Sequence, residues 1–263
     1  MKSSALLLSV LLLAGISTPL CAEDQLQTLH ESCTLSASHE DGQVDFRLQR
    51  GSCEGLHHDC GTNETTVPLS SFSNFNLADL KRDGTHLDAT LAAEAGKLTC
   101  SGTVHDLKLS GDSSFVPDPA FVARMRQMGF SGLASEKLQA YTLFHIETSW
   151  IQSLEAAGVT GMDSNNILAL RIFKIDAPFV RSMDSLGYAK LPADKLIAFK
   201  VHGVNPEEVK QYRAMGYQPS ADELIQMRIF KVTPDFIQRM QARNFNNLTI
   251  SKLVQIRIFK LAE

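Results

Sequence analysis

The chain has 263 residues, with 25 Lys and Arg against 29 Asp and Glu, a net charge of −4 and 44% hydrophobic residues. No stretch approaches the 18 continuous apolar residues of a transmembrane helix. Nor is there a basic excess of the kind that points to nucleic acid.

Residues 1–22 read as a secretory signal peptide: Lys2, an apolar run from Ala5 to Gly15, then Ser17, Thr18, Pro19 and the small residue Ala22. The expectation is an exported protein, periplasmic or secreted, with no transmembrane anchor after cleavage. A lipoprotein anchor at Cys21 is the weaker alternative, because Thr18-Pro19-Leu20 fits a lipobox poorly. The remaining cysteines, Cys33, Cys53, Cys60 and Cys100, all lie in the first half of the chain. An even number in an exported protein argues for two disulfides. Three pairings are possible, and Cys53 with Cys60 plus Cys33 with Cys100 is favoured, closing one short loop and tying the domain's start to its end. Charge is uneven as well: residues 23–115 carry 15 acidic and 6 basic side chains, residues 116–263 carry 14 and 18.

Residues 23–115 are expected to form a small antiparallel β-domain, a meander or a compact sandwich. Val44, Phe46 and Leu48 alternate with polar residues after the turn Glu40-Asp41-Gly42. Leu87, Ala89 and Leu91 lead into the turn at Ala95-Gly96, and Leu98, Cys100 and Val104 return from it. Leu107, Leu109 and Phe115 suggest one more strand, and only Leu77 to Leu80 looks briefly helical.

From residue 116 the period changes. One pattern occurs five times, near 116–145, 146–174, 175–203, 204–231 and 232–263, and Gly129, Gly158, Gly187, Gly216 and Asn244 mark equivalent points spaced by 29, 29, 29 and 28 residues. Each copy reads as helix, turn, helix. Thr233 and Asn205 are N-caps followed by Pro234 and Pro206 at the first helical position. Glu208 completes a capping-box pattern with Asn205. Phe236, Met240 and Arg243, or Phe179, Met183 and Leu186, share a helix face. The recurring Gly stops the first helix in the left-handed conformation, for which Asn is the best substitute. Second helices start near Asp163, Ser220 and Thr249 and end in RIFK at Arg171, Arg228 and Arg257. Helices this short are unstable alone in water, so they must stack. The fold class expected is α+β: a disulfide-linked antiparallel β-domain followed by a short α-solenoid of five helical hairpins.

The segment from Ala95 to Phe130 and the repeat VTPDFIQRM at Val232 resemble a family of exported bacterial proteins in which a small β-domain precedes multiple VTPxFIxxMxxxGY repeats. Similar regions occur as extracytoplasmic extensions of membrane metallopeptidases of the β-lactam-sensor type. The resemblance covers nearly the whole mature chain and implies an accessory or signalling-linked envelope protein. It brings no reaction with it, and the peptidase's HExxH motif is absent from this sequence.

Candidate chemistry is sparse. In SCEGLHHDC, Cys53, His57, His58 and Cys60 offer the donor set of a tetrahedral zinc site. A disulfide-closed polar loop is favoured instead, because an oxidising compartment consumes the thiols and adjacent histidines point apart in a strand. No cofactor or metal is expected. There is no G-x-S-x-G elbow and no Gly-rich phosphate loop. The carboxylate pairs Glu207-Glu208 and Asp222-Glu223 read as first-turn residues that favour the helix dipole. More suggestive are Arg171, Lys200, Arg228 and Arg257 at one repeat position and Lys174, Lys231 and Lys260 at another. Stacked, they would form a cationic ladder for an anionic partner. The plainer reading is that they complement the negative ends of the second helices. The function expected is therefore a non-enzymatic interaction or scaffolding module whose partner is another envelope protein. The alternative is an envelope sensor or accessory protein whose β-domain binds a small ligand or a cell-wall fragment.

Overall fold

A computed structural model of the chain describes residues 26–51, 61–245 and 247–261. Its first part is a six-stranded antiparallel sheet made of β1 (Leu29–Ala37), β2 (Gln43–Arg50), β3 (Gly61–Pro68), β4 (His86–Ala93), β5 (Gly96–His105) and β6 (Lys108–Pro117). The strand order is β3-β2-β1-β6-β5-β4. Two three-stranded meanders are thus zipped together where β1 pairs with β6, from Leu29 opposite Phe115 to Ser36 opposite Lys108.

Alternation decides which face is buried. Leu35, Val44, Phe46, Leu48, Leu91, Leu98, Val104, Leu109 and Phe115 are all buried on one face, while the other face carries Ser32, Thr34, Thr99, Ser101 and Ser110 among its residues. There is no second sheet among the described residues, so the architecture is not a sandwich. Its place is taken by the 69–81 segment, whose Phe72 meets Phe46 edge-on with ring centroids 6.1 Å apart, and by a helix laid across β4, β5 and β6.

The disulfide Cys33–Cys100 joins β1 to β5 across the intervening β6, with Cα atoms 6.0 Å apart. Two flat strand spacings would separate them by about 9.6 Å, so the sheet bends sharply at β6. Gly111 and Gly102, paired across β6 and β5, make the bend possible. A Cβ on Gly111 would lie 2.1 Å from the Ser101 carbonyl oxygen, and one on Gly102 would lie 2.2 Å from that of Ser110. Cys53 and Cys60 lie outside the described residues.

Ten helices follow among the described residues: α1 (Pro119–Gln127), α2 (Ser135–Leu143), α3 (Thr148–Ala156), α4 (Asn166–Ile172), α5 (Ala177–Ser185), α6 (Ala193–Val201), α7 (Pro206–Ala214), α8 (Ala221–Ile229), α9 (Pro234–Ala242) and α10 (Ile250–Phe259). Taken in order they form pairs with one recurring local chemistry. Asp118, Asp176, Asn205 and Thr233 cap α1, α5, α7 and α9 by accepting backbone N–H bonds, each just ahead of a proline in the first turn. Gly129, Gly158, Gly187 and Gly216 end the first helices at φ between 77° and 91°, and Asn244 does so at 65°. The capping box forms at Ser220 and Glu223 rather than at Asn205, because the Glu208 carboxylate turns away toward Arg228 and Tyr212.

The second helices end in the same way. His145, Lys174, Gly203, Lys231 and Lys260 take left-handed φ, and the next N–H reaches back to the helix, as Ile146 to Tyr141 and Ile175 to Leu170. Ile146, Ile175, Val204 and Val232, which follow the first four of these residues, are buried. The second helices α4, α6, α8 and α10 pack on one another in succession.

The first pair belongs to the sheet's core, where Phe121, Met125, Leu138 and Tyr141 share one apolar cluster with Leu98 and Phe115. A buried carboxylate fixes the seam: Glu31 on β1 accepts from Gln139 of α2 at 2.8 Å and from Arg50 at 3.1 Å. The strand β6 runs to Pro117, and the helices start from the Asp118 cap. No helix among the described residues is long and apolar enough to cross a membrane.

The cross-link closes 67 residues of chain, which constrains the unfolded state by about 4 kcal/mol. The double variant Cys33→Ala/Cys100→Ala is expected to lose about that much in urea denaturation, and dithiothreitol is expected to bring the wild type close to the same curve.

Candidate functional site

Of the cations singled out by the repeat pattern, Arg171, Arg228 and Arg257 occupy equivalent places with their charge turned inward. Nε of Arg171 donates to the Phe144 carbonyl at 3.0 Å, Nε of Arg228 to that of His202 at 3.1 Å, and Nε of Arg257 to that of Phe230 at 3.2 Å. Phe144, His202 and Phe230 are the C-caps of α2, α6 and α8. Each arginine therefore satisfies an orphan carbonyl at the negative end of the second helix one pair earlier.

The rest of each cation rests on the first helix of its own pair. Arg171 lies over the Trp150 ring at 5.3 Å, Lys200 over Phe179 at 4.0 Å and Arg257 over Phe236 at 4.8 Å. These aromatics share one position, the third residue of α3, α5 and α9. In α7 that position is Glu208, and Arg228 answers it with an ion pair, NH1 donating to both carboxylate oxygens at 2.9 and 2.8 Å. Tyr212 donates to the same carboxylate and to the Val232 carbonyl, and its burial together with the Glu208 charge raises the phenol's pKa well above 10. The arginines of the ladder are thus links between helix pairs. Lys174, Lys231 and Lys260, by contrast, are exposed at the left-handed helix ends.

What reaches the surface in a row is apolar. The residue after each of these cations, Ile172, Val201, Ile229 and Ile258, is 45%, 52%, 48% and 46% exposed. Since α4, α6, α8 and α10 pack in succession, the four form a ridge along the helical part, flanked by Phe173 and Phe259, which are also exposed. The first pair departs from the pattern: Leu143 and Phe144 are partly covered and pack against the core shared with the sheet.

Beside Leu143 and Phe144 the surface is concave. One cavity of about 540 Å³ is bounded by Thr66 and Pro68 of β3, by His145 and by Trp150, Arg171 and Ile172. A second, of about 390 Å³, is bounded by Thr62 to Thr65 of β3 and by Gln139 and Leu168. Both reach Leu143 and Phe144. His145, at φ 47° just after α2, lines the larger cavity with Nε2 2.9 Å from Ser71 Oγ. Desolvation, aided by the nearby Arg171 charge and opposed by Glu147, holds its pKa below 6.5.

The histidines and cysteines of the proposed zinc alternative, Cys53, His57, His58 and Cys60, lie outside the described residues. Among the described residues no group of three or more His, Cys, Asp and Glu side chains is placed to hold a metal ion. The ridge escaped the sequence reading although its signal was present: in RIFK, an apolar residue follows each cation on a helix whose buried positions are already filled by Leu170, Met227 and Leu253.

The exception at Glu208 supplies a test of the linking role. Glu208→Ala leaves Arg228 with a lone carbonyl contact and is expected to cost about 2 kcal/mol, a buried-pair loss discounted for partial exposure. Glu208→Phe restores the partner used in the other pairs and is expected to recover most of that loss in thermal denaturation. Equal destabilisation by both would contradict the role.

No family model, no curated protein and no solved structure matches the chain.

Proposed function

We propose that this chain is a non-enzymatic, exported interaction module: a short α-solenoid of five helical hairpins carried on a disulfide-tied sheet, presenting one face to another protein of the cell envelope. The observation that carries the reading is the ridge of Ile172, Val201, Ile229 and Ile258. Isolated exposed apolar residues are ordinary, but four at one repeat position form a contiguous strip of the kind that marks interfaces. The fold does not require them outside. In the first pair the corresponding Leu143 and Phe144 are drawn against the core, so the same positions accept cover when a neighbour supplies it. The leader-like N-terminus and the Cys33–Cys100 disulfide support export. Lys174, Lys231 and Lys260, exposed beside the ridge, give it a cationic rim, which suits a partner surface that is apolar at its centre and acidic at its border.

Affinity capture from native envelope extracts, comparing wild type with Val201→Glu/Ile229→Glu/Ile258→Glu, tests this. Substitution at exposed positions is expected to leave the melting temperature within a few degrees, a change of about 0.5 kcal/mol or less per site. The specific partner is expected to be lost. Retention of the same partner by the triple variant would refute the ridge as the binding face.

A further inference from the structure

The two edges of the sheet are treated differently by the chain. On the outer edge of β4, Ser73 N–H donates to the Thr90 carbonyl at 2.9 Å, and Phe72 bridges to Leu91. The chain's own 72–73 segment closes that edge. On the outer edge of β3 no backbone group of the described residues pairs with Gly61–Pro68, although the strand is fully registered with β2 on its inner side from Gly61 opposite Arg50 to Pro68 opposite Gln43. Of the usual protections only the charge of Glu64 is present, and Arg47 pairs it: the register has no bulge, the strand contains no Lys, and its one proline stands at the last position. Instead Thr62, Thr65, Thr66 and Val67 supply residues that favour extended backbone.

The two cavities beside Leu143 and Phe144 follow this edge end to end, the smaller along Thr62 to Thr65 and the larger along Thr66 and Pro68. Their shared Leu143 and Phe144, with Leu168 and Ile172, line a trough beside an open row of N–H and C=O groups. Such a row is matched by another main chain in extended conformation, and apolar side chains at alternate positions fill the trough. The Pro68 end carries mixed charge, Glu40, Asp176, Arg171 and Lys174, and among these Lys174 makes no ion pair with any described carboxylate. At the other end Glu64 and Glu136 are already paired with Arg47 and Arg50.

We infer that β3 is a strand-addition site: an extended segment of a partner protein adds to the sheet as a seventh strand, seats apolar side chains against Leu143 and Phe144, and sets an acidic residue against Lys174. This rests on the reading of the chain as a binding module but uses a different surface from the ridge, which meets the trough at Ile172.

The probe is a phage-displayed library of random decapeptides selected on the full mature protein. Enriched peptides are expected to alternate apolar and polar residues with an acidic residue near one end, and to slow amide hydrogen exchange at alternate residues between Thr62 and Val67. Lys174→Glu is expected to weaken them about tenfold. Neighbouring residues of an edge strand point their N–H groups to opposite sides. Of Glu64→Pro and Thr65→Pro, one is therefore expected to abolish peptide binding with the melting temperature kept. The other breaks the ladder with β2 and lowers the melting temperature. The ridge variant Val201→Glu/Ile229→Glu/Ile258→Glu is expected to bind the peptides normally, so failure of the ridge and failure of the trough give different results. Enrichment of no sequence, protection confined to Ile172 through Ile258, or protection of Thr62 to Val67 by a second copy of the chain in sedimentation without peptide would overturn the inference.

Discussion

The helical part depends on one recurring contact: Arg171, Arg228 and Arg257 on α4, α8 and α10 each reach across to the carbonyl end of the preceding second helix while resting on the first helix of their own pair, on Trp150, Glu208 and Phe236. Helices of seven to ten residues do not hold together in water by backbone bonds alone. Apolar packing between pairs is non-directional and would tolerate slippage. The Nε donors of Arg171, Arg228 and Arg257 fix the register, because each meets a single C-cap carbonyl. Tyr141, Tyr188 and Tyr212 add hydroxyl bonds to the Ser164, Pro219 and Val232 carbonyls, and Lys195 pairs with Asp222 across the boundary that Tyr188 also spans.

The series has a fixed beginning. In the first pair the position of the linking cation is Thr142, fully buried, and the role of a neighbour is taken by the sheet. Glu31 and Gln139 join β1 to α2, and one apolar cluster runs from the strands through α1 and α2 to Ile151 and Ile167. The sheet is itself held in a bent form by Cys33–Cys100 and the glycine pair. Order therefore passes outward from a cross-linked base through successive pairs. Ile172, Ile229 and Ile258 directly follow the three linking arginines, Val201 follows Lys200 on its Phe179 ring, and all four face solvent.

Much of this was legible in sequence because it rests on local rules. Gly129 through Gly216 and Asn244 had to take positive φ, the prolines had to sit at helix starts, and β2, β4 and β5 alternate plainly. Two strands did not announce themselves. In β3 only Val67 is buried, leaving no apolar alternation to see, and in β1 the inward series Leu29, Glu31, Cys33, Leu35 is interrupted by a carboxylate whose partners come from distant segments. The repeat position of the cations was legible, but their use was not. Their acceptors are main-chain carbonyls about one repeat away, which carry no side-chain signature. The aromatic beneath each was visible as Trp150, Phe179 and Phe236, and the change to Glu208 in one copy was the sequence's clearest hint that the cation had an internal partner.

Native-state hydrogen exchange of Arg171→Met measures the linkage directly, since Met keeps the apolar stem and removes the donor and the charge. The opening free energy of α3 through α10 is expected to fall together by about 2 kcal/mol, the worth of a charged hydrogen bond, with the protection of β1, β5, β6 and α2 unchanged. Loss of protection confined to α4, or an equal loss throughout the sheet, would rule out the linkage.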